Sequence, residues 1–244
     1  MNHNKNTIMN TNGNTYTIIY ASIMVIIVAF LLAFVSSALK PVQDRNLELD
    51  KKKQILAALN IRGLDNTEIE SKYDEVVIAD KIIKSDGTIV NEGENKDEAG
   101  FRVDNKEITD AKLPLYVCMV NGEMKYVVPM SGRGLWGALW GYIAINNDLR
   151  TVYGAFFSHE SETAGLGSPI AEQKFQDTFI GKHIFADGDT KHTALTVVKK
   201  GKVEPGKEDF QVDGLTGATL TSNGVAAMVN EGLQQYNGFF NMNK

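Results

Sequence analysis

The chain has 244 residues and a formal net charge of -5, which excludes the basic footprint of a nucleic-acid-binding protein. About 200 residues fall outside any membrane segment, enough for one domain with a real core. A single cysteine, Cys118, rules out an internal disulfide, a CxxC metal site and a cysteine-ligated cluster, and the four histidines show no metal-ligand spacing; no metal site is expected.

No charged side chain occurs between Lys5 and Lys40, and Ile18–Val35 is apolar except for Ser22. Residues 1–15 read as an N-terminal tail and residues 16–39 as one transmembrane helix, long enough to cross a ~30 Å hydrocarbon core. Tyr16 and Tyr20 suit an interface, and Lys40 with Pro41 ends the span. A cleaved signal peptide ending near Ser36-Ser37-Ala38 is the rival reading, but the apolar run exceeds an h-region of roughly 7–15 residues. Lys40, Arg45 and Lys51–Lys53 follow the span, so basic-residue asymmetry alone places the large domain in the cytoplasm.

Residues 40–63 read as a membrane-proximal helix, with Val42, Leu49 and Leu56 recurring at seven and Gly63 closing it. Residues 64–112 are acidic and irregular, a variable region with turn signals at Asp86-Gly87 and Asn91-Glu92-Gly93. From Leu113 the texture changes. Leu115–Val120 and Met124–Pro129 flank Asn121-Gly122, a strong hairpin signal. Gly134–Ile145, Leu149–Ser158 and Ala194–Val198 read as strands, Pro169–Thr178 as a short helix, and Ser222–Tyr236 as a closing helix with Val225, Met228, Val229, Leu233 and Tyr236 in one stripe. Residues 113–244 are thus an α+β domain with an antiparallel sheet. Cys118 lies in an apolar run and reads as a small buried hydrophobe.

The segment richest in chemistry is Asp213-Gly-Leu-Thr-Gly-Ala-Thr-Leu-Thr-Ser222. Gly214 and Gly217 open the loop's backbone geometry; Gly217 and Ala218 leave Thr219 without bulky neighbours, and Ser222 reads as the cap of the next helix. A loop running into a helix N-terminus favours an anion, because unpaired N–H groups and the helix dipole face it. The alternative is a capped helix after a tight turn. Thr216, Thr219 and Thr221 all offer hydroxyls.

This run resembles the flavinylation motif of the FMN-binding domain family. Ser158-His-Glu-Ser-Glu-Thr-Ala-Gly-Leu-Gly167, with one extra residue after His159, and Gly132-Arg-Gly-Leu-Trp-Gly137 are similar to two further segments of that family in the same order. The resemblance implies FMN moved from FAD by a flavin transferase onto Thr219 as a phosphoester, with Thr216, Gly217 and Ala218 shaping the loop. It implies a cofactor site made with Trp136, Glu162, Thr163, Gly165 and Leu166: an aromatic edge for the ring, and polar groups for ring or ribityl atoms. Gly165 and Gly167 would allow backbone approach to the ligand, with Leu166 as an apolar lid between them. Trp140 is placed on the same strand face as Trp136. His159 and Glu160 are read as structural. Lys200 resembles a position near the flavin, where a cation favours an anionic form of the ring; its alternative is a solvated surface lysine.

The implied function is an electron-relay subunit of a bacterial inner-membrane complex that oxidises NADH, reduces ubiquinone and pumps sodium. Its partners would be the other subunits, the flavin transferase and the membrane, with no nucleic acid. The chain has no Gly-x-Gly-x-x-Gly before a helix, so NADH should bind elsewhere, and one uncharged span cannot form an ion path. The resemblance also overrides the charge reading and places the soluble domain on the periplasmic side. A subunit of the related ferredoxin-linked electron-transport complex, or a membrane-anchored flavin-binding regulator, is the alternative.

Overall fold

A computed structural model of the chain describes residues 13–242; residues 1–12 of the expected N-terminal tail and the last two residues of the expected 113–244 domain lie outside the described residues. By contacts the chain divides into two units, Met1–Glu48 and Leu49–Lys244.

The first unit contains most of α1, a single helix over Asn14–Ala58 with Pro41 inside it. Its side chains from Ile18 to Val42 are exposed, and it is long and apolar enough to cross a membrane once. Lys40 and Pro41, expected to end the span, do not interrupt the helix: α1 runs through Pro41. A proline removes one hydrogen bond and crowds the preceding turn, about 3 kcal/mol, but cooperative propagation resumes on both sides. The membrane helix and the membrane-proximal helix are therefore one element.

In the second unit, α1 ends at Ala58 and the chain turns through positive φ at Asn60 and Gly63. Then come α2 (Asn66–Val76), β1 (Val77–Ile83), β2 (Ile89–Asn91), β3 (Leu113–Val120), β4 (Glu123–Arg133), β5 (Ala138–Asn146), β6 (Val152–His159), the short α3 (Gln173–Gln176), β7 (Thr196–Val198), β8 (Gln211–Asp213), α4 (Thr219–Gln235) and α5 (Asn237–Asn241). The main sheet is antiparallel in the order β2-β1-β3-β4-β5-β6, and β7 and β8 form a small parallel pair. The α+β architecture with an antiparallel sheet is as the sequence indicates.

Residues 64–112 are not irregular throughout. Asp65 accepts hydrogen bonds from the amides of Thr67 and Glu68, and Glu68 reaches back to the Asp65 amide, a capping box that starts α2. β1 pairs with β3 along its length, so the sheet begins well before Leu113. β1 carries a charge among its buried positions: Asp80 is fully buried, its carboxylate accepting the amides of Ala99, Gly100 and Phe101. An acid that binds three backbone donors reads as a loop residue by composition alone.

The sheet has two covered faces. Leu115, Val128, Met130, Ile143 and Ile145 pack with Val225, Met228, Val229, Leu233 and Tyr236 of α4. The alternate residues Tyr116, Cys118, Val127, Tyr142 and Ala144 pack with Ile55, Leu56 and Leu59 near the end of α1 and with Ile69 and Tyr73 of α2. This is the period-two alternation of a sheet buried on both sides. Burial also pushes the Cys118 thiol up from its ordinary range, the behaviour of an inert core cysteine.

Helix α4 approaches β4 very closely. A Cβ on Gly132 would sit 2.7 Å from Met228 Cβ, one on Gly232 2.7 Å from Met130 Cβ, and one on Gly224 2.5 Å from the Arg133 carbonyl oxygen. Gly224→Ala therefore pits a gain of about 1 kcal/mol in helix propensity against an overpacking cost of ~1–3 kcal/mol at a backbone atom that cannot rotate away. The clash is expected to win, lowering the urea midpoint at unchanged m-value; an unchanged or raised midpoint would contradict this packing.

Candidate flavin site

The N-terminus of α4 forms one wall of an open cavity of about 260 Å³, lined by Leu135, Trp136, Glu162, Thr163, Leu166, Gly167 and residues Gly217 to Thr221. Three loops and the helix end build it. The β4–β5 turn holds Leu135 and Trp136, closed by the Gly134 amide on the Gly137 carbonyl at 2.9 Å. The loop after β6 turns back on itself, with the amides of Leu166 and Ser168 both bonded to the Thr163 carbonyl at 3.1 Å and Gly165 at φ 75°. The loop after β8 reaches α4 through Gly217 at φ 76°. It is tied to the end of β7 by the Gly214 amide on the Val198 carbonyl at 2.7 Å.

The expected cap at Ser222 is corrected. Helix α4 begins at Thr219, its N-cap is Ala218, and no side chain caps it. Ser222 instead lies inside the helix, where its Oγ accepts the Leu215 amide at 3.0 Å, bracing the loop from below. The amides of the first turn are thus left without a side-chain partner at the cavity. Thr219 stands among them, exposed.

The three hydroxyls separate. Thr221 is buried, and its Oγ1 donates to Glu162 Oε2 at 2.5 Å. Thr216 is exposed but does not line the cavity. Thr219 is both exposed and in the cavity wall.

Of the sequence-predicted residues, Trp136, Glu162, Thr163, Leu166, Gly217, Ala218 and Thr219 come together, whereas Thr216, Gly165 and Lys200 are not in the lining. Lys200 follows β7 and lies 3.5 Å from Asp213, whose Oδ1 accepts the Gly201 amide at 2.7 Å. Trp136 is not on a strand: it sits in the turn with 64% of its surface exposed. Trp140 is on β5 and donates to Gln54 Oε1 at 3.1 Å, so the two tryptophans do not share a strand face. His159 accepts the Glu162 amide at Nδ1, 3.2 Å, and its Nε2 lies 3.0 Å from Ser168 Oγ; the first bond calls for the Nε2–H tautomer. Ser161, beside the extra residue after His159, donates to the Trp136 carbonyl at 2.7 Å.

Leu135, Leu220 and Thr221 complete the cavity, and sequence reasoning does not place them there. Leu220 carries a signal: it falls outside the apolar stripe of α4 and is 60% exposed. With Leu135, Trp136 and Leu166, also exposed, it makes an apolar rim, the kind of patch that marks a ligand or partner site. Glu162 is the one charged side chain in the lining.

These residues fit a phosphate-bearing, flat aromatic group: free helix amides for the anion, an exposed indole and leucines for the ring, and a hydroxyl between them. The FMN-binding domain family matches residues 134–234, a stretch that includes every residue lining the cavity. The class is therefore an FMN-binding domain on a chain whose first helix can span a membrane. The chain belongs to the family of C subunits of the Na⁺-translocating NADH-quinone reductase. It is 32% identical over 232 residues to the C subunit of Haemophilus ducreyi, covering 88% of each chain. It is 31% identical over 242 residues to that of Pseudomonas aeruginosa, covering 88% of this chain and 90% of the other. The solved C subunit of Parabacteroides distasonis is 37% identical with a TM-score of 0.76, covering 84% of this chain and 98% of that one. Shewanella oneidensis NqrC, 24% identical with a TM-score of 0.65 and covering 80% of this chain and 97% of that one, shares the fold.

The two tryptophans make the exposure of the rim measurable without any cofactor. In flavin-free protein, Trp140→Phe, which leaves Trp136 alone, should emit further to the red and be quenched more strongly by iodide than Trp136→Phe. Equal quenching of the two variants would show that the Trp136 turn is covered.

Proposed function

We propose that this chain is the electron-relay subunit of a membrane complex that oxidises NADH, reduces ubiquinone and pumps sodium, with FMN joined to Thr219 through a phosphoester. The observation that carries the reading is the position of Thr219: an exposed hydroxyl on the first residue of an uncapped helix, inside a cleft rimmed by Trp136 and Leu166. The named relatives support the rest, since each is the C subunit of a Na⁺-translocating NADH-quinone reductase.

When bound, FMN would supply transfer of one or two electrons. The chain's own residues do the holding. Thr219 Oγ would form the ester bond to the FMN phosphate while the flavin transferase breaks the pyrophosphate of FAD, AMP leaves and the hydroxyl proton is released. The α4 amides and helix dipole stabilise the phosphate charge, an effect of roughly 0.3–1 kcal/mol at an exposed helix end. Trp136 and Leu166 present apolar surface to the ring, and Thr163 offers polar groups to the ribityl chain. Gly217 and Ala218 keep the approach to Thr219 open. Gly165 and Thr216 shape their loops, and Lys200 acts through Asp213 and the loop it braces. NADH oxidation and the sodium path belong to other subunits.

The same reading puts residues 41–244 on the periplasmic side of a bacterial inner membrane, against the positive-inside count. Two of the lysines behind that count serve the fold. Lys51 Nζ donates to the carbonyls of Phe101 and Val103, and burial lowers its pKa to about 8. Lys52 lies over Tyr73 and Phe101 and 3.5 Å from Asp97.

Thr219→Val keeps the side-chain shape and removes the hydroxyl. It should abolish covalent flavin completely, while Thr216→Val and Thr221→Val slow attachment at most. Peptide mass spectrometry that finds the FMN mass on Thr216 or Thr221, or on no residue, would defeat the assignment. For topology, a reporter active only in the cytoplasm and fused after Lys244 should be silent, and one active only outside should work; the reverse pattern would turn the domain inward.

A further inference from the structure

Glu162 lines the cavity but hides from it. The residue is 6% exposed, and both carboxylate oxygens face protein donors. Oε1 accepts the Trp136 amide at 2.9 Å and Oε2 accepts the Thr221 hydroxyl at 2.5 Å. Its own amide is held by His159. One side chain thus joins the loop after β6 to the β4–β5 turn, 26 residues away, and to the first turn of α4, 59 residues away.

The surroundings are cleared for it. A Cβ on Gly134 would overlap Oε1, and a Cβ on Gly167 would overlap Oε2 and the Thr221 hydroxyl. Gly167, expected to allow backbone approach to a ligand, lines the cavity, and the space it leaves also admits Glu162. Neither glycine has a positive φ, so space and not backbone conformation accounts for both. A buried carboxylate is costly to desolvate and is kept where its hydrogen bonds fix a geometry. Here the geometry fixed is the placement of Trp136 and of the helix turn that carries Thr219.

Resting on the reading that FMN attaches at Thr219, we propose that Glu162 is the positioning residue of this site. It ties the Trp136 turn to the first turn of α4, so that Thr219 and Trp136 face one cleft, and it acts on the flavin only through them. The carboxylate is used for its two acceptors. A glutamine can reproduce both bonds, its oxygen accepting the Trp136 amide and its amide donating to Thr221 Oγ1 after the hydroxyl rotates. Alanine can reproduce neither.

The test uses the full-length chain in detergent with flavin transferase and FAD. Glu162→Ala should slow attachment by about ten- to a hundredfold, the scale of a misplaced reacting group, and should alter the visible circular dichroism of the flavin that does attach. Glu162→Gln should restore both. Thr221→Val, which keeps shape and removes one bond, should fall between, and should add nothing to Glu162→Ala. Three results would overturn the proposal: Glu162→Gln as slow as Glu162→Ala, native rate and dichroism in Glu162→Ala, or, where that variant does not fold, native rate and dichroism in Thr221→Val. Failure of the tether is separable from failure of the Thr219 reading. In flavin-free Trp140→Phe protein, Glu162→Ala should lower the fluorescence anisotropy of Trp136 and Glu162→Gln should not. Unchanged anisotropy in Glu162→Ala sinks the tether wherever the flavin attaches; a chain with no flavin on Thr219 sinks the attachment reading alone.

Discussion

Helix α4 lies against β4 through interlocking glycines and methionines. Gly132 admits Met228, Gly232 admits Met130, and Gly224 rests on the Arg133 carbonyl. Each contact removes a Cβ that would hold the helix off the sheet, and the apolar stripe from Val225 to Tyr236 then buries completely, worth roughly 1.5–3 kcal/mol per large side chain. The site inherits its position from this contact. Arg133 and Gly134 lead directly into the Trp136 turn, and Thr219 starts the helix that touches Arg133. Two elements distant in sequence are locked at the one place where their ends must meet.

At that meeting point polar groups take over from packing. Ser222 braces the loop, Glu162 joins three segments, Ser161 holds the Trp136 carbonyl, and His159 holds Glu162. These bonds run mostly from side chain to backbone, as expected where loops lack a ladder of their own. The division of labour is physical: apolar contacts set the distance between elements, and directional bonds set the angles of the loops they carry. A functional group on a loop is as well placed as the bonds that support it.

Much of this is legible in the residues. The Asn121-Gly122 hairpin forms between β3 and β4, with Asn121 at φ 52° and Gly122 at φ 79°, and the α4 stripe is buried as its spacing indicates. Local signals with a strong steric cause can be read directly. What cannot be read depends on partners far along the chain. Asp80 gives no local sign that it is the anchor of a three-amide loop within a strand. Ser222 has the chemistry of a cap, and only the loop packed beneath α4 turns it into a brace. Gly167 reads as a ligand glycine, and only the fold shows that the Glu162 carboxylate also needs its space. The motif residues are visible as a group, while the allocation of roles among them requires the fold. The single apolar segment is legible for a similar reason to the hairpin, since an uncharged stretch long enough to span hydrocarbon needs no tertiary partner. Pro41 does not stop α1 because its penalty is local, whereas the helix on either side of it is cooperative.

The shape of the cleft bears on why the proposed covalent tether would suit it. Cavities that hold a cofactor by contact alone are typically ~300–1,000 Å³ and bury most of the ligand. This one is about 260 Å³ and open, with Trp136, Leu166 and Leu220 largely exposed. Such a wall can orient a flat ring but cannot enclose it, so affinity through contacts alone would be weak. The ester proposed at Thr219 would change the problem from binding to orientation. The ring would then be held at an effective concentration in the millimolar range or above, as for any short linker, and each weak contact at the rim would suffice to choose among poses. Openness then has a use. An electron relay must present its ring to a donor and to an acceptor, and an enclosing pocket would stand between them. In the proposed arrangement, a tether at the phosphate end, an aromatic wall at one side and an unwalled remainder would satisfy retention and access together.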